Sequence, residues 1–346
     1  MTLAVLENPQ VQNLLKSNQT FDLVIVETLF VEPLYGFGQH FNAPLIGISS
    51  FGTDRVIDQL VGNISPLSYV PQVYGNLGTN MNFWERLKNV AHVAVDWIHY
   101  NTVHFPKQNE VYKKYFPNAQ VELQEVLKSF SLILLNQHFS LSFPRPYVSN
   151  MIEVGGLHIN HKPQSLPQDM EDFIINSPNG VIYFSMGTNI KSKIVLKENL
   201  KTILRTFAAL PQRILWKFED ENIPGKPENV FISKWFPQPD ILAHPNVKLF
   251  ITHGGLLSTI ESIYHGKPIV GLPVIYDQFL NVKFAENSGF GMSVDFRTFA
   301  NFEITIKTVL NEKRFSDKVK ELSKLYHDQP MKPLDTAIYW TEYVLR

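Results

Sequence analysis

Three short segments in the second half carry side chains whose type and spacing are suited to holding a phosphorylated ligand. The most informative is Thr252-His253-Gly254-Gly255-Leu256-Leu257-Ser258. Two glycines allow a tight turn and close approach of the backbone, and the first N–H groups of a helix beginning there have no partner within it. Such an amino terminus carries about half a positive charge and suits a diphosphate. His253 and Ser258 add donors, and Glu261, one turn further, reaches toward ribose hydroxyls. Asp277 and Gln278 supply a carboxylate and an amide for sugar hydroxyls. The other two segments are Phe184-Ser185-Met186-Gly187-Thr188, small and hydroxylated, and Trp235-Phe236-Pro237-Gln238, with an aromatic plane beside an amide.

These segments need a scaffold that brings loop ends together, and the hydrophobic pattern predicts one. Beyond residue 172, strands at 180–186, 213–218, 230–234, 247–252, 268–273 and 292–296 alternate with helices at 197–210, 239–243, 256–265 and 277–288. That alternation predicts a doubly wound parallel sheet, with ligands outside the carboxyl ends of its strands. The first half shows strands at 21–26, 44–49, 131–135 and 151–154, and a long helix from Met81 to about His104. Trp84, Leu87, Ala91, Ala94 and Ile98 are spaced to form one buried face of that helix. Residues 157–172, with Pro163 and Pro167, read as a linker between domains 1–156 and 173–346.

From Trp235 to Gln278 the chain resembles the signature of the UDP-glycosyltransferase family, without a gap. The matching positions are Trp235, Pro237 and Gln238; His253, Gly255, Ser258 and Glu261; Gly266 and Pro268; and Pro273, Asp277 and Gln278. The wording of Val154-Gly155-Gly156-Leu157-His158 and of residues 184–188 is most similar to insect members. The resemblance implies a GT-B fold, an α/β architecture of two Rossmann-like doubly wound parallel-sheet domains, the first one truncated. It implies that Trp235 stacks on uracil, Gln238 lies beside base and ribose, and Glu261 holds the ribose. His253, Ser258 and Thr188, with Gly187 and Gly255 beside them, would take the diphosphate; Asp277 and Gln278 would take the sugar.

The implied reaction is an inverting transfer of a hexose, glucose before glucuronic acid, from a UDP-sugar to a hydroxyl of a small lipophilic acceptor, as in detoxification. No metal or other cofactor is implied, because helix dipole and donors neutralise the leaving diphosphate. The resemblance also implies the lumenal side of the endoplasmic reticulum membrane, reached through segments this chain lacks; the chain as given reads as soluble. A homo-oligomer is compatible with it.

The catalytic base is not legible. The family's histidine-bearing turn after the first strand is missing, and the family's carboxy-terminal membrane helix has no counterpart after Tyr343-Val344-Leu345-Arg346. The chain therefore reads as a fragment, lacking both ends and inactive by itself. Glu27, at the end of the first strand, stands where the family has the carboxylate that orients the base; Glu32 is the alternative. Two rival readings follow: a non-catalytic UDP-sugar-binding partner, and a nucleotide-sugar epimerase, against which the Trp-Pro-Gln and Asp-Gln pairs speak.

Composition excludes other classes. A formal net charge of -1 with no basic run argues against nucleic acid. The absence of cysteine excludes disulfides and thiolate chemistry. Sequons at Asn18 and Asn63 permit a lumenal location, and residues 1–10 lack the features of a signal peptide. Gly36-Phe37-Gly38-Gln39-His40-Phe41 fails as a dinucleotide fingerprint because Phe41 replaces the third glycine, and Gly47-Ile48-Ser49-Ser50-Phe51 fails as a nucleophile elbow. His158 and His161 read as solvated loop residues, and His92, His99 and His104 do not converge.

Overall fold

Uninterrupted β-branched and aromatic runs become buried parallel strands in both halves of the chain. The computed structural model describes residues 2–160 and 162–346, so the reading of His161 lies outside the described residues. Two compact units result, one of residues 1–157 with 331–346 and one of residues 158–330.

The first unit has four parallel strands in the order β1-β2-β3-β4: β1 (Val24–Glu27), β2 (Leu45–Ser49), β3 (Phe130–Leu135) and β4 (Met151–Glu153). The order runs in one direction, one wing of a doubly wound sheet. Leu45, Ile46, Ile133 and Leu135 are buried, as a strand covered on both faces requires. β1 starts at Val24 rather than at residue 21, and Phe21 is exposed.

The long crossover from β2 to β3 departs from the sequence expectation. Its main helix, Phe83–His99, exposes Trp84, Leu87 and Ile98 by 71%, 51% and 54%, and Ala91 and Ala94 are exposed too. The buried positions are Asn89 and Val93. Asn89 docks the helix on a loop: its Nδ2 donates to the carbonyls of Leu67 and Val70 (both 2.9 Å), and its Oδ1 accepts from Gln72 N (2.8 Å). An amide satisfying three backbone groups outweighs the apolar periodicity, because unpaired buried backbone is costly. A widened π-type turn over Tyr100–His104 leads into the helix Phe105–Tyr115. Pro106 lacks an N–H and its ring clashes with the preceding turn, which gives the widening a physical cause.

The second unit holds β5 (Val181–Ser185), β6 (Arg213–Lys217), β7 (Val230–Ser233), β8 (Val247–Thr252), β9 (Ile269–Gly271) and β10 (Gly291–Ser293). Their order, β10-β9-β8-β5-β6-β7, is all parallel and reverses between β5 and β8. Ligands in such sheets bind at this reversal. β5 is buried throughout and β8 from Leu249 to Thr252, and stacked rings lock the sheet. Phe184 lies on Trp216 with centroids 5.5 Å apart, and Tyr183 on Phe250 at 5.1 Å.

Two features differ from the domain limits read in the sequence. The helix Gln168–Ile175 begins inside the stretch 157–172. The last helix, Pro333–Leu345, groups with the first unit, not with residues 173–330. Ala337, Trp340 and Val344 join Leu132 and Leu134 of β3 in one apolar cluster. No described helix is long and apolar enough to cross a membrane.

Candidate functional site

Five adjacent strands, β9-β8-β5-β6-β7, bring nearly all the singled-out residues to one end of the second sheet. Gly187 and Thr188 follow β5, Trp235 and Gln238 follow β7, His253 and Gly255 follow β8, and Asp277 follows β9.

His253 stands at the reversal of strand order, between two glycines. A Cβ at Gly187 would lie 2.6 Å from its Cε1, and one at Gly255 would lie 2.6 Å from its Nε2. Any side chain at either position would displace the imidazole. Thr252, fully buried, receives Gly254 N at its Oγ1 (3.2 Å) and stands 3.4 Å from His253 Nδ1. Burial, with the charge of Lys217 adding to it, lowers the imidazole to about 4. The ring is therefore neutral at physiological pH, a donor and an acceptor rather than a cation.

The helix Leu256–Tyr264 starts here, with Ser258 and Glu261 buried on its inner face. Gln238 Nε2 donates to Ser258 Oγ (3.1 Å) and to Glu261 Oε2 (2.8 Å). Glu261 Oε1 faces His158 Nε2 at 3.3 Å. His158 is an exposed turn residue, as the sequence implies, but its ring also meets a candidate site residue. Tertiary proximity to residue 261 leaves no trace in a loop's composition.

Trp235 presents an open ring, 64% exposed. Lys217, at the end of β6, places its Nζ 4.8 Å from that ring's centroid and donates to Gly187 O (2.9 Å) and Thr188 Oγ1 (3.4 Å). Partial burial lowers its pKa. The sequence reading passed over Lys217, although its place at a strand's carboxyl end was a usable signal.

Asp277 and Gln278 are tied into the protein itself. Asp277 Oδ2 accepts from Leu256 N (3.3 Å), the first amide of the helix Leu256–Tyr264, and from Asn281 Nδ2 (2.7 Å). Helix geometry leaves the next amides, of Leu257 and Ser258, without intrahelical partners. Gln278 is buried, and its Oε1 accepts from Val274 N (2.9 Å) and Ile275 N (3.0 Å), shaping the loop. Asn281, one helical turn after Asp277, also donates to Gly254 O (2.9 Å) and was another residue the sequence reading missed.

Burial raises Asp277 from an ordinary 3.8 to about 6, against the lowering effect of Asn281 and Leu256. The folded form thus holds a proton between pH 4 and 6 that the unfolded chain has released, and stability falls as pH rises through 6. Asp277→Asn is expected to stabilise the ligand-free protein by about 1–3 kcal/mol above pH 6, with the gain shrinking on acidification and gone below about pH 4. Thermal melts from pH 4 to 8 measure this. A gain independent of pH would show that the carboxylate's charge is not its source.

In the first unit, Glu27 ends β1. Burial raises its pKa, opposed by the backbone amides of Ser50 and Thr28, and its Oε1 is shielded without a hydrogen-bond partner. Glu32, almost fully buried, accepts from Tyr100 Oη (3.0 Å) and lies 3.0 Å from His104 Nε2. Its carboxylate is engaged with the widened turn rather than presented at a strand end. Among the described residues no group of three or more acidic or histidine side chains is arranged to hold a metal ion.

Residues 2–346 match the profile of the family described as UDP-glucoronosyl and UDP-glucosyl transferase. The chain belongs to this family. It is 37% identical over 342 residues to UDP-glucosyltransferase 2 of Dactylopius coccus, covering 98% of this chain and 66% of that protein. It is 35% identical over 311 residues to human UDP-glucuronosyltransferase 2B10, covering 88% of this chain and 58% of that protein. The chain thus spans about two thirds or less of the length of these two relatives. Among solved structures, the glycotransferase of kitacinnamycin superposes with a TM-score of 0.65 at 15% identity, covering all of this chain and 80% of that one. Spinosyn forosaminyltransferase superposes at 0.62, with 15% identity and coverage of 94% and 76%. The fold of this family member is GT-B, as the sequence resemblance implied.

Proposed function

We propose that the family member to which this chain belongs transfers a hexose from a UDP-sugar to a hydroxyl of a small lipophilic acceptor, with inversion. The observation that carries this reading is the cluster at the reversal of the second sheet. A neutral imidazole stands between two glycines, an orphaned helix amino terminus is beside it, and a buried carboxylate lies one turn along. On this reading His253, Ser258 and the amides of Leu257 and Ser258 face the diphosphate, and Trp235 stacks on the uracil. Glu261 and Gln238 take the ribose, and Asp277 and Gln278 meet the sugar.

The acceptor oxygen forms a bond to the anomeric carbon while the bond to the β-phosphate oxygen breaks and UDP departs. Helix dipole, imidazole and the Lys217 ammonium stabilise that departing charge without a metal. Glu27, with an unpartnered carboxylate oxygen, is suited to orienting the base that removes the acceptor proton. Glucose is favoured as the sugar by the similarity to UDP-glucosyltransferase 2 of Dactylopius coccus.

Calorimetry on this chain with UDP and with uridine tests the donor site. UDP is expected to bind at least about tenfold more tightly than uridine, because the diphosphate meets several charge-assisted donors. Equal binding, or none, would remove the diphosphate assignment.

A further inference from the structure

We propose that His158 is a positioning residue for ribose recognition, holding the Glu261 carboxylate at one fixed tilt. The inference rests on the reading that Glu261 receives the ribose hydroxyls. Glu261 is 6% exposed, and each of its oxygens has its own neighbour: Oε2 accepts from Gln238 Nε2 at 2.8 Å, and Oε1 lies 3.3 Å from His158 Nε2. A carboxylate oxygen offers two lone-pair directions, so each keeps one for a ligand hydroxyl.

With Gln238 alone, the carboxylate plane is free to turn about its terminal torsion, which is broad and roughly two-fold. A second neighbour on the other oxygen removes that freedom. Two vicinal hydroxyls of a ribose then meet two oxygens already aligned, and the ordering of the carboxylate is not charged against binding. The role needs only an imidazole N–H, so it does not depend on the ring being charged. His158 lies in a turn, and its side chain is 24% exposed. It is thus a loop residue held against a helix residue about a hundred positions later in the chain.

Calorimetry on the chain with UDP and with 2′,3′-dideoxy-UDP tests this. The reading is the ratio of the two affinities within each variant, from which any loss of folded protein cancels. The unaltered chain is expected to prefer UDP by about tenfold or more, and Glu261→Ala to abolish the preference. His158→Ala should reduce the preference to about threefold by weakening UDP while leaving the dideoxy nucleotide unchanged. His158→Gln, whose amide donates in the same direction, should restore most of it. If His158→Ala weakens both nucleotides in proportion, or leaves the ratio as it was, His158 does not position Glu261. If Glu261→Ala keeps the preference, the ribose assignment itself fails and the inference falls with it. Loss of the preference in Glu261→Ala but not in His158→Ala overturns the inference alone.

Discussion

Replacing His253 by alanine is expected to lower UDP affinity by about 10- to 100-fold and sugar transfer by the full-length enzyme by about 10²–10³-fold. The larger effect on transfer arises because charge on the diphosphate grows as UDP leaves, so a fixed donor counts most at that moment. The imidazole is held between Gly187 and Gly255 and beside Thr252, and it titrates near 4. UDP affinity should therefore be insensitive to this group between pH 6 and 8. Stability should not be insensitive. A histidine lowered on folding leaves the unfolded chain with the extra proton between pH 6.5 and 4, so stability falls as pH falls through that window. His253→Ala should lessen that acid lability while weakening binding. A variant that binds UDP as well as the original chain would remove His253 from the diphosphate site.

Gly254→Ala is expected to destabilise the second unit by about 2–4 kcal/mol, without any direct role for residue 254 in chemistry. Gly254 has φ +81°, a left-handed conformation unfavourable for alanine, and the added Cβ would lie 2.4 Å from Val282 Cγ2. For a unit of this size the melting temperature should drop by roughly 5–15 °C. Val282→Ala in the same chain should recover the part due to the clash and leave the part due to the backbone. Gly255→Ala provides the contrast. Its φ of −60° admits alanine, but the new Cβ would press on His253 Nε2. That variant should fold and lose UDP affinity. An unaltered melting curve for Gly254→Ala would contradict the packing described for this turn.

The pair of neighbouring glycines shows how far sequence reasoning reaches. Two glycines before a helix announce a tight turn near a ligand, and the turn is there. Which glycine protects the fold and which protects the imidazole is decided by Val282 and by the ring itself, one of them distant in the chain. Asp277 and Gln278 show a related gap. They are where the pattern implies, but their side chains also hold Leu256 N and the loop amides of Val274 and Ile275. These two side chains thus order the loop around them in a way that spacing does not express.

The order of elements in the second unit, the parallel sheet and the collection of residues 187–278 at strand ends follow from the sequence alone. The cause is local: continuous apolar runs bury as parallel strands, glycine and proline mark their ends, and right-handed crossovers carry those ends to one side. What only the tertiary structure decided is which side chains meet. The exposed face of the helix Phe83–His99 was misassigned because a buried Asn89 binding backbone groups has no periodic signature. The last helix joined the first unit because β3 offers it an apolar face. His158 met Glu261, and Lys217 met Trp235, through folding of a kind that neighbours in sequence do not record. Periodicity reports the burial of a segment averaged over its length, whereas a polar contact depends on two particular atoms arriving within about 3 Å.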